Sequence, residues 1–353
     1  MPLDHYKPHE INALHLLSIR KSVDLCKLLD TDFFSIEEQI NQPTYYQYYI
    51  PKKKGGKREI LAPEFNLKLI QRCLNDFLQS YYLCIKPKEV YGFIIRPDYI
   101  DTRCNIVENA RKHVGKKQVL NIDLKDFFPS ITAKRVRDLF VSPYFNFNEN
   151  IAIALTLLTT YQGKLPTGAP TSPVISNFIC IQLDSDLRAF CQENNLTYTR
   201  YADDLTFSSD LPISSDQTLD IINIIRKNHF GINDKKLRLK SPKSRQIVTG
   251  LTVNEKVNVD RKLLKKVRAM LHDFGINGLE LASQRHFKNP KKYQDYKILF
   301  IYRLQGYINF IGQVRGKSDP IYIKYKTVFD SLFEPNAKGV NKWKKYYEFP
   351  ELF

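Results

Sequence analysis

Two adjacent carboxylates, Asp203 and Asp204, are the first residues whose type and placement suggest chemistry. They lie between Thr197-Tyr-Thr-Arg-Tyr201 and Leu205-Thr-Phe-Ser-Ser209. These runs are rich in Tyr, Thr, Leu and Phe and read as short strands, so the acidic pair falls at or near the turn of a β-hairpin. Neighbouring carboxylates repel one another, and burying both without a counter-charge is costly. Two readings fit: a solvated turn, or a site where a divalent cation joins the pair. Hard oxygen donors favour Mg2+.

A third carboxylate ends the stretch Val119-Leu-Asn-Ile-Asp123, with Pro129 shortly after. The apolar run reads as a buried strand. A buried strand rarely ends in an acid for the sake of stability, so Asp123 is a candidate partner of Asp203 from a second strand. Phe128 either packs in the core or walls a sugar pocket. Asp126 is a structural acid or part of the turn.

Other stretches would have to surround such a site. Leu165-Pro-Thr-Gly-Ala-Pro-Thr-Ser-Pro173 is a loop opening a helix, with Pro173 suited to the first turn. Its backbone N–H groups favour phosphate or sugar contact around Thr167 and Gly168. Gly231 to Leu237 reads as a turn into a strand and brings Lys235 and Lys236 near the carboxylates, where a lysine could act on a leaving pyrophosphate. Tyr45 to Pro63 reads as a hairpin with Gly55-Gly56 in its turn. Lys57 closes that turn and Arg58 starts the return strand; the basic hairpin either has a solvated tip or closes on a triphosphate, with Arg58 forked onto its oxygens.

The remaining elements are scaffold. Apolar spacing predicts one helix or two short ones between Ile11 and Leu29, interrupted at Ser18 to Ser22. Phe65 to Leu83 is amphipathic, with Leu69, Ile70, Leu74, Phe77 and Leu78 on its apolar side. Val174, Ile175, Phe178, Ile179, Leu183 and Leu187 follow a helical stripe, and Leu219 to Lys227 is helical. Arg245 to Asn254 is strand-like, with Gly250 at a close approach. Asp260 is suited to cap a helix and Gly275 to end it. Between them an apolar stripe from Leu263 to Phe274 is flanked by Arg261, Lys262, Lys265, Lys266 and Arg268. That basic face is either solvated or laid against a nucleic-acid backbone. Tyr302 to Ile311 looks helical, and the tail Lys342 to Phe349 mixes aromatic and basic residues.

The composition narrows the class. Of 353 residues, 43% are hydrophobic and 12% aromatic, which befits a folded chain of two or three subdomains. Fifty-four Lys and Arg against 37 Asp and Glu leave +17, a balance expected of a protein that meets a polyanion such as nucleic acid. Six cysteines show no CxxC pair or zinc spacing and read as reduced thiols of a cytoplasmic protein. No signal peptide or membrane span is expected.

Taken together, these motifs resemble the palm of a reverse transcriptase. Asp123 stands where that family keeps its first catalytic aspartate. Tyr201-Ala-Asp-Asp204 is similar to its YxDD box, the Pro- and Gly-rich loop to its template- and nucleotide-positioning loop, and Lys235-Lys236 to its later lysine motif. Asn109-Ala-Arg-Lys-His113 resembles the NAxxH signature of retron reverse transcriptases, and Val248-Thr-Gly250 their VTG signature. The likeness covers roughly residues 40 to 315. Thr167 stands where many relatives carry Gln, and its shorter side chain reaches less far toward a nucleotide.

The resemblance implies an α+β fold of right-hand polymerase architecture: fingers, a palm of antiparallel sheet with packed helices, and a helical thumb. The corresponding partition is N-terminal helices and fingers in 1–118, a palm with interleaved fingers segments in 119–254, and a basic helical thumb in 255–353. It implies two Mg2+ ions held by Asp123, Asp203 and Asp204. Arg58, Lys57, Phe128, Thr167, Gly168 and Lys236 are then the nucleotide-binding set, with Phe128 excluding a 2′-OH. Asn109, His113, Val248, Thr249, Gly250, Arg261, Lys265 and Arg268 would recognise RNA. The expected partners are a cognate noncoding RNA serving as template and primer, its DNA product, dNTPs and a defence effector protein. DNA would start from an internal guanosine 2′-OH, giving a branched hybrid. A non-catalytic RNA-binding scaffold, and a group II intron-like or diversity-generating enzyme, are the alternatives. The three acids weigh against the first, and NAxxH and VTG against the second.

Overall fold

A computed structural model describes residues 5–52, 55–100, 103–286 and 296–333. The chain divides after Ser244 into two compact units.

The first unit begins with α1 (Pro8–Leu17), α2 (Ser22–Leu28) and α3 (Phe33–Asn41). The polar stretch at Ser18 to Ser22 does split the first helical stripe in two. Asp32 caps α3 by accepting from the Ser35 N–H at 2.9 Å. Strands β1 (Tyr45–Pro51) and β2 (Lys57–Pro63) then form an antiparallel hairpin, with Gly55 and Gly56 both at positive φ. Helix α4 (Phe65–Ile85) buries Leu67, Ile70, Leu74 and Leu78. Each such side chain contributes about 1.5–3 kcal/mol relative to exposure. Leu69, expected on that stripe, faces outward instead.

Next come α5 (Ile106–Arg111), β3 (Gln118–Asp123), α6 (Ala133–Val141) and α7 (Glu149–Thr159). They are followed by α8 (Ser172–Ile179), α9 (Ile181–Glu193), β4 (Thr197–Tyr201), β5 (Asp204–Ser209), α10 (Ser215–Lys227) and β6 (Arg238–Lys240). Four of these strands make one antiparallel sheet in the order β4-β5-β3-β6. The apolar run of β3 is explained by this topology: it is a central strand, and Val119, Leu120 and Ile122 are all buried. The core beneath the sheet joins Leu120 and Ile122 to residues of α4, α6, α7, α8, α9 and α10. Mixed helices and antiparallel strands make the fold α+β, as expected.

The second unit, taken by itself, opens with a small hairpin, β7 (Ile247–Val248) and β8 (Leu251–Thr252). Three helices follow among the described residues: α11 (Arg261–His286), α12 (Tyr296–Arg315) and α13 (Pro320–Ser331). Asp260 caps α11, accepting from the Lys262 N–H at 2.8 Å. The expected stop at Gly275 does not occur. The helical run breaks at Gly278, whose φ of 72° and ψ of 173° only glycine adopts at little cost. Val267, Met270, Leu271 and Phe274 are buried, as the stripe predicts. Gly312 lets α12 meet α13 closely, since a Cβ there would lie 2.5 Å from the Tyr322 ring. Among the described residues no helix is long and apolar enough to cross a membrane.

Candidate active site

Sheet register brings the three acids together. Asp123, the last residue of β3, pairs with Asp204, the first of β5. Tyr201 also pairs with Asp204, so Ala202 and Asp203 form a two-residue hairpin connection. Ala202 adopts a φ of 59°, and the Asp203 carbonyl accepts from the Leu124 N–H at 3.0 Å. The turn is thus tied to both its own hairpin and the strand beside it. Asp203 lies in the connection and Asp204 in the strand, so the two are inequivalent.

Charge crowding marks the site. Burial, then the neighbouring Asp203 and Asp123 carboxylates, push the Asp204 carboxyl up to about 7, while Lys236 pulls the other way. Asp204 keeps an exposed edge, so like-charge repulsion matters here beside depth. Asp203 is also raised, chiefly by burial and in part by Asp123, with Lys236 and Arg58 opposing. Asp123 is 9% exposed. Its carbonyl accepts from Asn233 N–H at 2.8 Å, which brings in the turn that carries Lys236. Lys236 Nζ stands 2.6 Å from Asp123 Oδ1. No three His, Cys, Asp or Glu side chains among the described residues form a finished metal cage. The donor chemistry nonetheless fits a hard divalent cation: oxygen ligands only, with a crowded negative charge that a cation would relieve.

Residues around the acids divide into those brought to the site and those turned away. Arg58 is near enough to act on Asp203. Lys57 is its neighbour in β2 and so points to the opposite face, where its Nζ lies 5.9 Å from the centre of the Tyr49 ring. This corrects the pairing of Lys57 with Arg58 at one nucleotide. The Thr167 carbonyl accepts from Leu61 N–H at 2.9 Å, which docks the loop on β2. Gly168 has a φ of 137°, and a Cβ there would come within 2.8 Å of the Leu61 carbonyl oxygen. Phe128 is half-buried, with ring centres 5.7 Å from Phe93 and 5.4 Å from Phe127. Lys235 and Asp126 are exposed, the latter at a φ of 45°.

The NAxxH residues fall in the interior. His113 is 0% exposed and Asn109 1%. His113 Nδ1 lies 2.7 Å from Ser208 Oγ and Nε2 lies 2.7 Å from Thr199 Oγ1. The ring thereby pins the segment after α5 to β4 and β5. Direct RNA contact by Asn109 and His113 is corrected accordingly: their polar atoms face the protein.

Burial holds the imidazole neutral, lowering its pKa from 6.5 to about 3, with Lys116 adding to the effect. Below pH 6.5 the unfolded chain therefore binds a proton that the fold refuses, and stability falls as pH drops. Chemical denaturation at pH 7 and pH 5 should show the wild type losing about 2 kcal/mol more than His113→Asn. Equal losses would show that another group governs the acid limb.

The VTG residues form the turn of the β7–β8 hairpin. Val248 is buried, and Thr249 and Gly250 take φ values of 47° and 83°. A Cβ at Gly250 would meet nothing within 4 Å, so the glycine serves the turn conformation and not the close approach expected of it. Arg261, Lys265 and Arg268 are exposed on α11. The tail from Lys342 to Phe349 lies outside the described residues.

One buried pair had no counterpart in the sequence reading. Arg200 and Asp184 are both 0% exposed and joined at 2.7 and 2.8 Å, with Tyr198 OH donating to Asp184 Oδ1 at 2.8 Å. A charged residue inside an apolar strand was its only signal.

Comparison with known proteins gives the family. The model of the family described as reverse transcriptase (RNA-dependent DNA polymerase) matches residues 50–257. The retron Ec86 reverse transcriptase of Escherichia coli is 33% identical over 300 residues, covering 82% of this chain and 83% of that protein. The retron Mx65 reverse transcriptase of Myxococcus xanthus is 34% identical over 247 residues, covering 65% of this chain and 55% of that protein. A solved telomerase from Candida albicans, complexed with a fragment of telomeric RNA, aligns at 11% identity and a TM-score of 0.47, covering 87% of this chain and 66% of that one. With the family model spanning more than half its length and a retron enzyme matching most of it, the chain belongs to the reverse transcriptases, the RNA-directed DNA polymerases, and to their retron branch.

Proposed function

We propose that this enzyme copies a cognate structured noncoding RNA into DNA with Asp123, Asp203 and Asp204 as its catalytic carboxylates. The carrying observation is the register that sets Asp123 opposite Asp204 with Asp203 in the adjoining turn. These three would hold two Mg2+ ions. Such ions, when bound, lower the pKa of the primer hydroxyl and steady the triphosphate and departing pyrophosphate. Arg58 forks onto triphosphate oxygens. Lys236, already beside Asp123, supplies a cation or proton to the leaving group. Gly168 keeps the Thr167 loop close to the hairpin, and Phe128 walls the sugar pocket against a 2′-OH.

The retron relatives support the finer reading. DNA would start from a guanosine 2′-OH within the RNA and give a branched RNA–DNA hybrid, serving anti-phage defence in the cytoplasm together with an effector protein. Residues 1–118 would supply the N-terminal helices and fingers, 119–254 the palm and 255–353 the thumb. Exposed Arg261, Lys265 and Arg268 would track the nucleic-acid backbone, with the Val248-Thr249-Gly250 turn contributing to RNA recognition.

The test is to purify the enzyme with the RNA encoded beside its gene and add dNTPs and Mg2+. A DNA product that stays joined to RNA after denaturation, and that debranching of the 2′–5′ bond releases, is the expected outcome. A product without that linkage would sink the priming mode, and no product would sink the reading as a whole.

A further inference from the structure

The Asp203-Asp204 turn is held from behind by groups that take no part in the chemistry above. Arg200 lies three residues before Asp203 and is entirely buried. Its Nε and Nη2 clasp both oxygens of Asp184 on α9. Its Nη1 donates to Asn177 Oδ1 on α8 at 2.9 Å and to the carbonyl of Ala202, inside the turn, at 3.2 Å. Asn177 in turn donates from Nδ2 to the Gly92 carbonyl at 3.1 Å. The loop holding Gly92 is laced to β4: Arg200 N–H donates to the Glu89 carbonyl at 2.9 Å, and Tyr91 N–H to the Arg200 carbonyl at 3.0 Å. Gly92 itself abuts the turn. A Cβ there would lie 2.4 Å from the Ala202 nitrogen and 2.9 Å from the Tyr201 carbonyl carbon, backbone atoms with no freedom to swing aside.

Stability alone does not account for this arrangement. Taking a guanidinium and a carboxylate out of water costs several kcal/mol per ion, and apolar side chains of similar volume often serve as well. What an apolar side chain cannot do is grip a carbonyl in the turn while bound to two helices. Ala202 is also the turn residue with positive φ, a conformation that a non-glycine residue keeps only when its surroundings impose it.

We propose that Arg200, Asn177 and Gly92 form a clamp that positions the Asp203-Asp204 turn for metal binding and nucleotidyl transfer. Arg200 is the positioning residue at its centre, and Asp184 holds the guanidinium at its set angle. The clamp rests on the assignment of those acids as catalytic, and it couples the helices behind the Thr167-Gly168 loop to the carboxylates.

The experiment measures single-turnover extension of a DNA primer on an RNA template, together with Mn2+ binding to the free protein followed by electron paramagnetic resonance. A rate constant for one turnover reports the folded molecules only; lost folding lowers the amplitude instead. Arg200→Lys keeps the charge but loses the fork, and Gly92→Ala drives a methyl into the turn. Both should lower the rate constant about 10–100-fold and weaken Mn2+ binding about 10-fold, the usual cost of losing a group that orients a ligand. Asn177→Ala removes only a neutral link and carries the test should the other two fail to fold. Folded variants with the wild-type rate constant and Mn2+ affinity overturn the clamp. If instead the wild type makes no DNA, or Asp203→Asn makes as much as the wild type, the catalytic assignment itself fails.

Discussion

Asp203→Asn should lower DNA synthesis about 1,000-fold or more, a loss of about 4 kcal/mol in transition-state stabilisation. The substitution preserves side-chain shape and removes only charge. Asp203 sits in the two-residue connection beside Asp204, with its backbone carbonyl bound to Leu124. That hydrogen bond uses the main chain and survives. Folding should not suffer, because one of three crowded carboxylates is gone, easing the repulsion that adds to burial in raising Asp204. The unfolding midpoint is therefore expected to stay level or rise while synthesis collapses. Primer extension and thermal unfolding on one preparation check both halves. Synthesis within tenfold of the wild type would remove Asp203 from the catalytic set.

The second large effect is on stability. Asp184→Ala leaves the Arg200 guanidinium buried without its carboxylate, keeping the neutral acceptors of Asn177 and Ala202, and strips the acceptor from Tyr198 OH. An uncompensated buried charge costs about 3–5 kcal/mol. For a unit of this size the unfolding midpoint should drop by about 10 °C. The pair Asp184→Leu with Arg200→Met should recover most of that loss, since it removes both charges and fills the space. A single variant as stable as the wild type would mean that water reaches Arg200 and that the site is not the dry pocket its burial indicates.

Local patterns were legible where one residue's neighbours in sequence are also its neighbours in space. The Thr197 to Ser209 hairpin, the buried strand into Asp123 and the Asp260 cap all follow from spacing and residue type. Partners across the chain were harder to read. Nothing beside His113 in sequence announces Thr199 and Ser208, so the ring was assigned to an outside ligand when its hydroxyl partners lie inside. Arg200 carries no assignment from sequence, because its partners Asp184 and Asn177 reach it from helices. Glycines misled in a different manner. A close approach is expected at Gly250 but is found at Gly92, Gly168 and Gly312, and the helix break expected at Gly275 falls at Gly278. A glycine states that something is unusual about its backbone or its surroundings, and spacing alone does not say which. Lys57 reads as part of the turn beside Arg58, but the strand begins one residue earlier, and neighbouring strand residues face opposite ways.

The pairing of β3 with β5 also fixes when the site can come into being. Asp123 and Asp204 are about 80 residues apart, and closing such a loop costs about 4 kcal/mol before any contact offsets it. As the chain leaves the ribosome, Asp123 must wait unpaired while α6 to α9 emerge. Lys236, the neighbour that softens the acids' mutual repulsion, arrives later still. The carboxylates therefore assemble against their own charge, after most of the first unit has been synthesised. With these acids as the catalytic set, a nascent chain that stops short of Asp204 lacks the centre and should copy no RNA.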